Sequence, residues 1–237
     1  MGRRSMPEIF GWEHLIYMAV SFTLMISALI FINKKVHGEK ELVMIIRGTG
    51  LLLLACVVWN RFAICILRDG LNRLLPNTYC SFASFTFSFS VLFCKKDSRI
   101  FHFVLYLGLL GGISSMLCPN YLGQADSIFY PMTISSLMHH TVMVFLALLM
   151  LTTGYFRPAL KRWYCLPVGL FFTFLYGLFL IHVLGYNDAM AINFPLVEGT
   201  FLTWYLVGPL FIGVHGLVLY VYERMLTPYP TDSELSV

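Results

Sequence analysis

Apolar side chains run almost unbroken for about twenty residues at a time along this chain, and short polar segments separate seven such runs. The runs cover 12–32, 43–67, 75–94, 100–118, 132–154, 164–185 and 201–222. A helix rises ~1.5 Å per residue, so each run can cross a hydrocarbon core of ~30 Å. The pattern predicts an all-α, polytopic membrane protein built as a seven-transmembrane-helix bundle. The third run interleaves Ser81, Ser84, Thr86, Ser88 and Ser90 with Phe82, Phe85, Phe87 and Phe89. Small hydroxyl residues let membrane helices approach and hydrogen-bond to one another, so this helix is expected at the centre. Gly108, Gly111 and Gly112 predict a further close contact through the fourth run. Pro76 is expected to start the third helix, and Pro167 and Pro209 to kink the sixth and seventh. The two longest outer loops, 119–131 and 186–200, have the composition of lids over a cavity.

Only 12% of the residues are charged against 58% hydrophobic, and the mean hydropathy is +0.76. An ordinary soluble domain needs far more polar surface than this. Residues 12–222 therefore read as one membrane domain, with short tails at 1–11 and 223–237. The net charge of +4 then records topology, not a nucleic-acid footprint. Ten Lys and Arg fall in loops 33–42, 95–99 and 155–163 and the C-terminal tail, against four on the opposite side. The positive-inside rule predicts an outside N-terminus and a cytosolic C-terminus, with the cell membrane as the expected location. Asn33, Lys34 and Lys35 follow the first run where a small-residue cleavage site would stand, so that run reads as a retained anchor. The six cysteines lie within or at the ends of runs and form no close pair in an outer loop, so no disulfide framework is expected.

The candidate chemistry gathers at one depth. Glu13, His14, Asn60, Arg61, Cys80, His139, His140 and His182 all fall in the outer half of their runs. Such groups are costly in hydrocarbon, and their common level predicts an enclosed polar cavity. Successive helical side chains diverge by ~100°, so one of His139 and His140 is expected to face the cavity and the other a neighbouring helix. Cys80 reads either as a small apolar filler or, beside a histidine, as a nucleophile. Glu13 and His14 read equally as a solvated helix start or as part of the site. Arg61 has three readings: snorkelling outward, pairing with Glu13, Asp188 or Glu198, or holding a phosphate bidentately. His182 reads as interfacial, and His102 and His215 lie toward the cytosolic face, outside the cluster. Spacing excludes several classes. The seventh run has no lysine for a retinal, and Ser136 stands where an elongase His-x-x-His-His box begins. No His-x-x-x-His pair supports zinc, so neither a metal nor a cofactor is expected.

Several short motifs, in order, resemble the YwaF-like integral membrane protein family, relatives of an animal ether-phospholipid transacylase. They are Trp12-Glu13-His14-Leu15, Leu75-Pro76-Asn77-Thr78-Tyr79-Cys80, His139-His140, Gly154-Tyr155-Phe156-Arg157-Pro158, Gly185-Tyr186-Asn187 and Asn193-Phe194-Pro195. That family's third-span motif has a histidine two residues before the cysteine and an acid just after it; here those positions hold Thr78 and Ser81. The resemblance implies Cys-dependent acyl transfer between membrane phospholipids. Cys80 would be the acyl carrier and His139 or His140 the base; beside that resemblance, Glu13, His14, Asn60, Arg61, His182 and Asn187 are the candidate substrate-binding residues. A non-catalytic transporter, lipid-binding or sensor subunit is the alternative, because intramembrane ionisable residues serve such roles as readily.

Overall fold

The computed structural model describes residues 7–68, 70, 74–119, 122, 125, 127–196 and 199–225, with only the backbone described for 223–225. Among these the chain is entirely helical: α1 (Trp12–Lys35), α2 (Glu39–Leu67), α3 (Tyr79–Phe93), α4 (Phe101–Leu117), α5 (Pro131–Thr152), α6 (Cys165–His182) and α7 (Trp204–Met225). Each matches one apolar run to within a few residues. Five are long and apolar enough to cross a membrane (α1, α2, α5, α7, and α6 with the 3-10 turn before it), while α3 and α4 have 15 and 17 residues.

Burial orders the bundle. The apolar stretch of α5 is 61% buried, against 17% for α1 and for α7. A core of α2, α3, α4 and α5 packs together, with α1 laid on α5, α6 on α4, and α7 on α6. The short helices are the enclosed ones. Every residue from Phe101 to Gly108 in α4 is buried, as are Ser81, Ser84, Ser88 and Ser90 in α3. The expected central position of the third helix is observed.

Helix contacts explain the glycines. A Cβ on Gly112 would lie 2.6 Å from Cγ2 of Val144, and one on Gly108 would lie 3.2 Å from Cγ of Met143. Only hydrogen at Gly112 lets α4 approach α5 this closely, and the space at Gly108 is tight. Gly112→Leu is therefore expected to destabilise the bundle by about 1–3 kcal/mol through overpacking. The check is thermal unfolding of detergent-solubilised protein.

Two proline expectations are corrected. Pro76 does not begin the third helix: α3 starts at Tyr79, and the Thr78 side chain caps it by accepting from the Ser81 N–H, with Ser81 Oγ accepting from the Thr78 N–H in return. This reciprocal box satisfies two otherwise orphaned donors. Pro167 falls in the first turn of α6, where a missing N–H breaks no helical bond and no kink is required. Pro209 lies inside α7, and Pro131 occupies the first turn of α5. The loop after α6 folds back on the bundle, with Met190 N–H donating to Asn77 O at 2.9 Å. Loop 119–131, also expected as a lid, lies partly outside the described residues.

Candidate functional site

Asn60 and Arg61, buried near the C-terminal end of α2, begin the polar core. The Asn60 amide nitrogen lies 3.0 Å from Ser135 Oγ, 3.0 Å from Ser136 Oγ and 3.3 Å from Met132 O, all on α5. Its oxygen accepts from Arg61 Nη2 at 3.1 Å, while Arg61 Nη1 donates to Asn77 Oδ1 at 3.5 Å. A guanidinium can only donate, so the amide oxygen must face it and the NH2 must face α5. Of the three partners expected for Arg61, Glu13 and Asp188 form no ion pair with it, and Glu198 lies outside the described residues. Arg61 is 7% exposed, and its Nε is buried without a hydrogen-bond partner.

The two adjacent histidines have a defined tautomer. His139 Nδ1 lies 3.1 Å from Ser135 O, and His140 Nδ1 lies 2.7 Å from Ser136 O. A carbonyl can only accept, so in the neutral rings Nδ1 carries the proton and Nε2 presents its lone pair. The ring centroids lie 4.0 Å apart with the planes tilted by 34°. His139 Nε2 is buried without a hydrogen-bond partner. His14 is the opposite case. Its Nδ1 accepts from Phe10 N–H at 3.1 Å and its Nε2–H donates to Met116 O at 2.8 Å, so both nitrogens hold the chain entering α1 against α4. His14→Phe is expected to lower stability by about 1–3 kcal/mol by stranding a buried carbonyl and N–H. The check is thermal unfolding of the detergent-solubilised variant beside wild type.

Cys80 is the second residue of α3 and half-buried. Its thiol donates to Gly111 O at 3.7 Å and lies 3.4 Å from Ser115 Oγ, facing α4 and not lipid. One turn further along α3, Ser84 Oγ meets Met143 Sδ at 3.2 Å. Both α3 and α5 run antiparallel to α4: Cys80 faces Gly111 where Phe87 faces Gly108, and Gly112 faces Val144 where Phe101 packs on Phe156. They therefore run in the same direction. One turn before the Ser84–Met143 contact, in α3 and α5 alike, lie Cys80 and His139, so thiol and imidazole share a level.

Two spaces meet at Arg61. A polar cavity of about 500 Å³ is lined by Arg61, Ile64, Arg68, Asn77, Thr78, Gly185, Tyr186, Asn187, Asp188 and Phe194. An apolar groove of about 530 Å³ runs between α2, α3 and α6, lined by Val58, Phe62, Leu74, Leu75, Pro76, Phe82, Phe85, Thr86, Phe89 and Tyr176 besides Arg61. Burial pushes the Tyr186 phenol above its ordinary value, so at neutral pH it stays an O–H donor. Cys80, His139 and His140 line neither space; Thr78 of the cavity wall stands two residues before Cys80.

The remaining candidates scatter. Glu13 sits in the first turn of α1 with one carboxylate oxygen buried and unpartnered, and His182 is exposed at the end of α6. Asn187 is exposed on the cavity wall. Sequence reading missed Asn77, Arg68 and Tyr186 as cavity residues, and Ser135 and Ser136 as partners of the histidines. The signal for the serines was their position, four residues before each ring on the same helix face. It also left His102 and His215 unconnected. Both are buried, with Tyr106 against His215 at 4.2 Å between ring centroids, as a separate polar cluster between α4 and α7.

Comparison with known proteins adds one result to this geometry. No curated protein and no solved structure matches the chain. A family model, that of the TMEM164 family, matches residues 9–226, which include all seven helices and all the residues of the two cavities. The chain is a multi-pass helical membrane protein that belongs to the TMEM164 family.

Proposed function

We propose that this protein moves acyl chains between membrane phospholipids, from a bundle in which all seven helices cross the bilayer, with the N-terminus outside and the C-terminus cytosolic. The observation that carries the lipid reading is Arg61, a buried guanidinium that lines a polar cavity on one side and an aromatic groove on the other. An amphiphile with a phosphate fits that pairing: the head group is held by Arg61, Arg68 and Tyr186, and a chain lies along Phe82, Phe85 and Phe89. The enclosed α3 and α4 contact protein more than lipid, so their shortness is compatible with crossing. The resemblance to the YwaF-like proteins supports the same reading.

In the proposed reaction His139 Nε2 takes the Cys80 thiol proton as sulfur attacks the ester carbonyl. The C–O bond to the glycerol oxygen breaks, the imidazolium returns its proton to that oxygen, and a lysolipid leaves. A second lysolipid hydroxyl then attacks the Cys80 thioester, with His139 taking the hydroxyl proton and returning it to sulfur. The test is reconstitution in vesicles of one phospholipid with an isotopically marked lysophospholipid. Appearance of the marked diacyl product by mass spectrometry is expected; its absence at all lipid ratios contradicts the enzymatic reading. The thiol's hydrogen bonds to Gly111 and Ser115, and not to an imidazole, favour the second reading, a non-catalytic lipid-binding or sensor protein. Phosphate-dependent lipid binding without exchange would select it.

A further inference from the structure

Asn60 joins the two halves of the site. On one side its amide oxygen is the acceptor for Arg61 Nη2 at 3.1 Å, and Arg61 is the cation shared by both spaces. On the other, its NH2 has three α5 oxygens within 3.3 Å, those of Met132, Ser135 and Ser136. Two N–H bonds cannot satisfy three acceptors fully, so this amide is shared and its balance is sensitive to where the oxygen is pulled. Ser135 and Ser136 in turn hold the His139 and His140 rings through their carbonyls. Asn60 is 1% exposed and lines neither cavity, so it does not touch a bound molecule in either space.

We infer that Asn60 is a positioning residue, coupling occupancy of the Arg61 cavity by a phosphate group to the geometry of the His139–His140 pair. This rests on the anion-holding role proposed for Arg61, but not on acyl transfer. When a phosphate draws the guanidinium into the cavity, Nη2 moves on Asn60 Oδ1, the amide turns, and the two serines shift their hydrogen bonds under the rings. The chain Arg61–Asn60–Ser135/Ser136–His139/His140 is made of buried contacts within one helix pair, α2 and α5, which is a rigid path for a small displacement.

The experiment is 15N spectroscopy of histidine-labelled full-length protein in nanodiscs, titrated with lysophosphatidate, with inorganic phosphate, and with a phosphate-free monoacylglycerol. Lysophosphatidate is expected to shift the His139 and His140 ring signals, and monoacylglycerol to leave them in place. A shift with inorganic phosphate as well shows that the phosphate alone suffices; a shift with lysophosphatidate only shows that the chain must also be seated. Both outcomes support the coupling. Asn60→Leu keeps the side-chain volume, puts no charge beside Arg61 and loses both the acceptor for it and the donors to α5. It is expected to abolish the shift while saturable binding persists, and Asn60→Ala should do the same. An undiminished shift in both variants, or no shift in the wild type at saturation, overturns the inference. Persistence of acyl exchange in Cys80→Ala would sink the transfer mechanism alone and leave this readout untouched.

Discussion

Replacing Cys80 by alanine is expected to lower phospholipid acyl exchange by at least about 100-fold while leaving the protein folded. The size follows from the role: a residue that carries the acyl group in a covalent bond has no substitute within reach of the same ester. Alanine loses only the sulfur, and its contacts with Gly111 and Ser115 on α4 are weak, long-range hydrogen bonds of 3.7 and 3.4 Å, so melting should change little. Cys80→Ser separates nucleophile from packing more strictly. It restores the volume and a hydrogen-bonding atom, yet should remain nearly inactive because an alkoxide is far harder to form than a thiolate. His139→Gln should fall by a comparable factor through loss of the Nε2 lone pair. Exchange within twofold of wild type in Cys80→Ala removes the thiol from the mechanism.

The second large effect has opposite signs for binding and stability. Arg61→Gln is expected to weaken binding of anionic lysolipid by about 10- to 100-fold, the 1.4–2.8 kcal/mol that one lost charge-assisted contact in a desolvated site represents. The ligand-free protein should nevertheless melt higher, by a few degrees. Arg61 is 7% exposed, has no carboxylate within ion-pair distance among the described residues, and leaves Nε without a partner. A buried, unpaired cation destabilises the folded state, and glutamine removes the charge while still able to donate to Asn60 Oδ1. A variant that binds normally shows that the guanidinium serves the fold. One that both binds weakly and melts lower shows that it serves the fold and the ligand together, against a site held ready at the expense of stability.

The helices were legible because a membrane imposes a length and a polarity on each crossing, and the seven apolar runs match the seven helices within a few residues. Short polar segments carry no such constraint. Thr78, which stands where the resembling family has a histidine, is the N-cap of α3, and no periodicity distinguishes a cap from a catalytic position one turn away. The site was legible as a depth but not as a network. That Asn60, Arg61, Cys80, His139 and His140 lie toward the same end of the bundle follows from counting residues along alternating helices. That His14 is consumed by Phe10 and Met116 while His139 keeps a free nitrogen depends on which helices touch, and sequence spacing does not encode that. Arg68 and Tyr186 were missed for the same reason: they reach the cavity from a helix end and from a loop, distant in sequence from Arg61.

Intact-protein mass spectrometry after brief incubation with a phospholipid donor, quenched in acid, tests the central claim most directly. A mass increase of one fatty-acyl group is expected, mapped by peptide analysis to Cys80, released by neutral hydroxylamine and absent from Cys80→Ala. Rapid exchange with no acyl adduct at Cys80, or an adduct that hydroxylamine does not release, contradicts the thioester on which the account rests.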